Sequence, residues 1–289
     1  MGEIVLAAKI THVPSIWLSE HSEQFTGIRQ NAIDGLVEIG RRARERDVDT
    51  FVIFDVHWLV NQGFHLNANA RHDGTFTSHE LPHFLAEMEY HYQGDPELAQ
   101  EIAEVGSGRD LSVRSHRVPG LGFEYGTLIP MHHMNRDGFA RVLSIAANQY
   151  ASIDDGRRFG EAVAEAIRRS DRRVAVLASG SLSHQFWPNH LSVAGINEVN
   201  TEFNRQVDLR VLELWQAGRT REFLAMLPDY ADRCHGEAGM IDTAHLFGVL
   251  GWNAYQGTGE LLGEYFGSSG TGQVNVIFEP PAGVAPGAA

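Results

Sequence analysis

With 289 residues, 43% of them hydrophobic and 21% charged, the chain is long enough to bury a large core and too apolar to be disordered. Its 37 acidic against 23 basic side chains give a formal charge of -14, a field that repels phosphate backbones and anionic bilayers, so nucleic acid and membrane surfaces are not expected as partners. The only cysteine, Cys234, leaves no internal disulfide to form and suits a reducing compartment.

The first ten residues hold one lysine and no apolar run of signal-peptide length, and no stretch approaches the ~20 apolar residues of a membrane span, so a soluble, cytoplasmic protein is expected. In chain order, Ile4 to Ile10 reads as a buried strand, and Gly27 to Arg46 sets Ile33, Leu36, Val37, Ile39 and Gly40 at helical spacing under an arginine-rich face. Asp49 to Val56 is a β-branched and aromatic run that completes a βαβ unit, so the first two strands are expected to be parallel neighbours. A strand at Leu66 to Ala70, a helix at Pro96 to Val105 and a strand at Leu111 to Arg114 follow. Ala140 to Ala146 and Arg173 to Ser179 are apolar strands flanking a helix at Asp155 to Arg169. Helices are predicted over Ile196 to Ala217, Arg219 to Met226 and Gly239 to Gly251, and a last strand over Val274 to Phe278. The alternation predicts one α/β domain over residues 1–279, a mostly parallel central sheet with helices on both faces, followed by a disordered tail over residues 280–289. Gly267 to Gly272 lacks the Lys-Ser/Thr of a phosphate loop and reads as a turn.

In such sheets ligands bind outside the carboxyl ends of the strands, which singles out three of the 15 histidines. His12 follows the first strand, His57 the second, and His184 lies beyond the strand ending at Ser179. Neighbouring strands would bring His12 and His57 together as two ligands of one metal, and a third, anionic ligand would complete a two-histidine, one-carboxylate face. Glu237, between Gly236 and Gly239 and ahead of a helix, is the candidate. Taken alone it is an acid favoured by a helix dipole, and any one rim histidine is as readily a hydrogen-bonded structural residue; it is their convergence that points to a site. No G-x-S-x-G, H-E-x-x-H or paired-cysteine pattern supports a serine hydrolase or a zinc class, and Cys234 beside His235 reads as a free or buried thiol. His21, His72, His79, His91, His133 and His190 lie in polar stretches and are read as solvated.

Six segments in order, ITHVPS from Ile10, FDVHWLV from Phe54, FEYGTLIPM from Phe123, ASGSLSHQF from Ala178, CHGEAGM from Cys234 and SSGTGQVN from Ser268, resemble the class III (LigB-type) extradiol ring-cleavage dioxygenases. Within the group the resemblance is greatest to members that act on 3,4-dihydroxyphenylacetate. It implies Fe(II) held by His12, His57 and Glu237, with His184 as the acid/base residue and not a ligand. Tyr125 stands where some relatives carry a histidine beside the substrate, and His116 looks like a pocket residue; His132, His133 and His245 are treated as incidental. The implied reaction opens a catechol with O2 next to its diol to give a hydroxymuconic semialdehyde, in a homo-oligomer. The same fold also suits a metal- or peptide-binding relative without redox chemistry, a dioxygenase for another catechol or an aminophenol, or a divalent-metal hydrolase that turns over without O2.

Overall fold

The computed structural model describes residues 1–83 and 85–281. The first half of the chain forms β1 (Glu3–Ile10), α1 (Ser15–His21), α2 (Gln30–Glu45), β2 (Thr50–Val60), β3 (Phe64–Asn67), β4 (Arg71–Phe76), β5 (Met88–Gln93), α3 (Pro96–Ser107), β6 (Val113–His116) and α4 (Tyr125–Met134). The second half forms β7 (Arg141–Asn148), α5 (Ile153–Arg169), β8 (Arg173–Ser179), α6 (Glu202–Gln216), α7 (Thr220–Arg233), α8 (Ile241–Leu250), β9 (Gly259–Leu261), β10 (Phe266–Ser268), β11 (Thr271–Gln273) and β12 (Val276–Phe278).

Eight strands make one sheet in the order β6-β3-β7-β2-β8-β1-β12-β9. Strands β7, β2, β8 and β1 run parallel, while β12 and β9 close one side antiparallel. This corrects one expectation: β1 and β2 are not neighbours, because β8 lies between them. The cause is the apolarity of β8 on both faces, which suits it to an inner position. Ala175 and Leu177 join a core with Phe51, Ile53, Leu36 and Leu128 under α1, α2 and α4. Val174 and Val176 join the opposite core with Val52, Phe54, Phe159 and Phe247 under α3, α5, α6, α7 and α8.

Local chemistry fixes the helix starts. Asp95 caps α3 ahead of Pro96, Ser152 and Asp155 form a capping box on α5, and Thr201 caps α6. Helices α5 and α8 approach so closely that a Cβ on Gly160 would lie 2.1 Å from the carbonyl oxygen of His245. The run Gly267 to Gly272 is the β10–β11 hairpin, turned by Ser269 and Gly270 at positive φ, in agreement with its reading as a turn.

Helices α1 and α4, the β4–β5 hairpin and strand β9 had no counterpart in the expectations from sequence. The expected helix from Ile196 begins only at Glu202, and the one from Arg219 extends to Arg233. Of the expected tail, residues 280–281 carry no regular structure and residues 282–289 lie outside the described residues. Among the described residues no helix is long and apolar enough to cross a membrane.

Candidate active site

His12 sits two residues past β1 and is 2% exposed. Its Nδ1 lies 3.1 Å from Oγ of Ser179, the last residue of β8. That hydroxyl has one proton and donates it to the Gly126 carbonyl at 2.5 Å, so it accepts from His12 Nδ1–H. The tautomer follows: Nε2 carries the free lone pair, the form in which an imidazole binds metal.

His57 was expected just past its strand and instead lies within β2, where the register with β7 jumps between Asp55 and Leu59. The extra residues form a bulge that aims His57 out of the ladder. Asp55 holds it there, accepting from the backbone N–H of His57 at 2.8 Å and from Thr127 Oγ1 at 2.6 Å. A Cβ on Gly126 would lie 2.2 Å from Asp55 Oδ1, so that position accepts no larger side chain without displacing the brace. The His12 and His57 rings meet edge to face with centroids 4.8 Å apart, across Ser179 at the end of β8 and Gly180 just past it. The insertion of β8 therefore does not separate them.

Glu237 reaches the same point from between α7 and α8. The chain around it is strained, with His235, Ala238, Gly239 and Met240 all at positive φ, and such backbone persists where function or packing demands it. Glu237 Oε2 accepts from the backbone N–H of Ser181. Its Oε1 faces three imidazoles: His12 Nε2 at 3.6 Å, His57 Nε2 at 3.4 Å and His184 Nε2 at 3.4 Å. Burial alone would raise the Glu237 pKa, yet His184 and His12 foremost, with His57, hold it well below the usual carboxylate range. For His57 burial acts downward but the Glu237 carboxylate, with Asp55 and Glu80, outweighs it and the net shift is up; for His184 burial wins and the shift is down.

The ligand atoms of His12, His57 and Glu237 lie within 4.8 Å of one another, the only such group among the described residues. Two imidazoles, one of them fixed in its metal-binding tautomer, and a carboxylate with a free oxygen fit a divalent transition metal on one face. His184 completes the ring from the wall of a cavity of about 470 Å³. It is fixed by a bridge to Thr271, by its N–H to the Cys234 carbonyl at 3.2 Å, and by the ring of Phe186. The neighbouring Ser183 is pinned by Asp208, which also accepts from Tyr230 and Tyr265.

Tyr125, at the start of α4, lays its ring 3.7 Å from that of His57 and donates its hydroxyl to Glu80 Oε2 at 2.9 Å. Glu80 was missed in the sequence because nothing distinguishes one acid in the polar loop between β4 and β5. His116 is not brought to this cavity: it lies on the edge strand β6, its Nε2 2.7 Å from His65 Nδ1. Of the histidines read as solvated, His21, His79, His91 and His190 are exposed. His72 and His133 are corrections. His72 is 3% exposed and stacked on Phe123, its pKa pushed down to about 4, and the side chain of His133 is 6% exposed beside Glu20. Cys234 is buried and its thiol is pushed up to about 12, which leaves no thiolate for catalysis.

A parallel-sheet rim carrying two histidines, a carboxylate and a fourth histidine over a cavity defines a metal-dependent enzyme site. Residues 6–279 match the family described as the catalytic LigB subunit of aromatic ring-opening dioxygenase. The chain belongs to that family, and is an extradiol dioxygenase. It is 48% identical over 260 residues to 3,4-dihydroxyphenylacetate 2,3-dioxygenase of Escherichia coli, covering 89% of this chain and 94% of that one. It is 27% identical over 252 residues to the 2-aminophenol 1,6-dioxygenase beta subunit of a Pseudomonas species, covering 82% of each. The fold is shared with an uncharacterized protein of Escherichia coli K12 at a TM-score of 0.63 and 16% identity, over 94% of this chain and 99% of that one.

Proposed function

We propose that the chain opens the ring of 3,4-dihydroxyphenylacetate with O2, using Fe(II) held by His12, His57 and Glu237. The observation that carries this reading is the single Glu237 oxygen facing His12, His57 and His184 at 3.4 to 3.6 Å, on the wall of a cavity large enough for a substituted catechol. The 48% identity to the Escherichia coli enzyme supports the arylacetate substrate. Bound Fe(II) would supply two-point chelation of a catechol and an electronic path between ring and O2.

The chain's own groups do the rest. His184, on the cavity wall with its pKa lowered by burial, is neutral at pH 7 and takes a phenolic proton at Nε2 as the catechol binds; it later returns a proton to the opened ring. Tyr125 spends its proton on Glu80 and so faces the substrate as an acceptor while its ring braces His57. Ring opening beside the diol yields a hydroxymuconic semialdehyde. We read residues 1–279 as one catalytic domain, acting in the cytoplasm as a homo-oligomer.

The test is a substrate panel on protein loaded anaerobically with Fe(II): 3,4-dihydroxyphenylacetate, protocatechuate, gallate and 2-aminophenol compared by kcat/KM after O2 is admitted. A yellow product, O2 uptake and the highest kcat/KM on 3,4-dihydroxyphenylacetate are expected. Turnover of an ester or amide without O2, or 2-aminophenol as the best substrate, would overturn the assignment.

A further inference from the structure

An arylacetate catechol is an anion, and among the described residues the cavity that would take it is lined by Glu80 and Glu237 and by no lysine or arginine. The cation lies one layer back. Arg29, just ahead of α2, is 5% exposed, and among the described residues it forms no ion pair with any acid. Buried guanidinium groups are ordinarily paired, because the desolvation cost is otherwise uncompensated. Here the partners are neutral. Nε donates to Ser15 Oγ at 2.8 Å, Nη2 donates to the Ile196 carbonyl at 3.0 Å and faces Ser268 Oγ at 3.4 Å, and the plane covers the Phe266 ring at 5.0 Å. Ser15, Ile196 and Ser268 all line the cavity.

From this arrangement we infer that Arg29, acting with the hydroxyls of Ser15 and Ser268, receives the side-chain carboxylate of the substrate and sets the preference for an acidic catechol. The inference rests on the catechol-cleaving reading of the site. The proton count supports it. Ser15 Oγ and Ser268 Oγ lie 3.1 Å apart, so one hydroxyl donates to the other and the second keeps a proton free. Arg29 donates toward both oxygens, so that free proton must find its acceptor elsewhere and is available to an anion, with the guanidinium charge directly behind the pair. Burial lowers the Arg29 pKa to about 10, so the charge is present at neutral pH. A substrate carboxylate at this wall is the counter-ion that the described residues do not provide.

The experiment compares 3,4-dihydroxyphenylacetate with 4-ethylcatechol, its uncharged counterpart of similar shape, in wild type, Arg29→Met, Arg29→Lys and Ser268→Ala, all loaded with Fe(II). Binding of phenylacetate and ethylbenzene to the same proteins is measured by calorimetry without turnover. In Arg29→Met, kcat/KM and phenylacetate affinity should fall about 10- to 100-fold, the range for hydrogen bonds to a charged group, while 4-ethylcatechol loses far less. Equal losses on both catechols in a folded variant would make Arg29 a brace for the cavity wall and overturn the inference. If Arg29→Met does not fold, as judged by circular dichroism, Arg29→Lys and Ser268→Ala decide: a smaller but selective loss on the acid supports the carboxylate site, and an unchanged ratio in both overturns it. Should wild type cleave neither catechol, the ring-opening assignment fails separately, and the phenylacetate titration still decides for or against Arg29.

Discussion

Lys9 and Asp242 form an ion pair in which neither side chain is exposed. It joins β1, three residues before His12, to the first turn of α8, five residues after Glu237, and it lies directly under Gly180, where a Cβ would come within 2.6 Å of Asp242 Oδ2. Removing one partner strands a buried charge, so Lys9→Met should cost about 3–5 kcal/mol, read as a shift of the urea midpoint. The double variant Lys9→Met/Asp242→Leu should recover much of that loss. No recovery would mean that the pair contributes through geometry and not through charge.

The proposed ligands and their support should separate in metal analysis. His12→Ala, His57→Ala and Glu237→Ala are each expected to weaken metal binding by more than about 100-fold and to abolish turnover. Ser179→Ala removes the acceptor that sets the His12 tautomer, together with the hydroxyl's bond to the Gly126 carbonyl, and should weaken binding about 10- to 100-fold without abolishing it. Stoichiometric metal in purified Glu237→Ala would move the carboxylate ligand elsewhere.

His184 should behave differently from the three proposed ligands. His184→Phe is expected to retain metal and anaerobic catechol binding while kcat falls by ~10² to 10⁴. Metal content, binding and kcat measured on one preparation decide this: lost metal would make His184 a ligand, and unchanged kcat would remove it from proton transfer.

A pH dependence follows from His245, which is 1% exposed among Phe54, Phe64 and Phe159, with Nδ1 to the Gly156 carbonyl at 2.9 Å. Burial pushes its pKa down to about 4, against 6.5 in an unfolded chain. The unfolded state therefore binds the extra proton first, and stability falls as pH drops from about 6.5 toward 4, by roughly 3 kcal/mol for this group alone. Urea titrations of metal-free protein at several pH values should show a shallower acid slope in His245→Phe than in wild type. Parallel slopes would assign the acid sensitivity to other groups, His133 first and then His72.

Much of the architecture was legible in hydrophobic runs. Arg173 to Ser179 is a strand with the boundaries that its apolar sequence predicts, and α5 differs from its predicted start by two residues. Periodicity identifies strands but not their lateral order, which is why β8 between β1 and β2 escaped notice. Helix α4 gave no signal because Tyr125 to Met131 are buried without a polar face and Pro130 interrupts the run. His12, His57, Glu237 and His184 stood out through position and resemblance. Asp55, Glu80, Ser179 and Arg29 did not, because a bracing acid, a serine or an arginine acquires its role only from what the fold sets beside it.

The place of β8 also dictates when the centre can exist. His12 and His57 are carried by strands that touch only through a third strand made more than a hundred residues later, and Glu237 follows later still. A nascent chain lacking residues 173–237 therefore holds no more than isolated imidazoles. Metal cannot nucleate the fold, and folding must close its long-range parallel contacts before any ion is gripped, a route expected to be slow. Metal uptake thus serves as an end-point signal: among refolding chains, those that retain the ion are those in which the first, middle and last thirds of the sequence have already found one another.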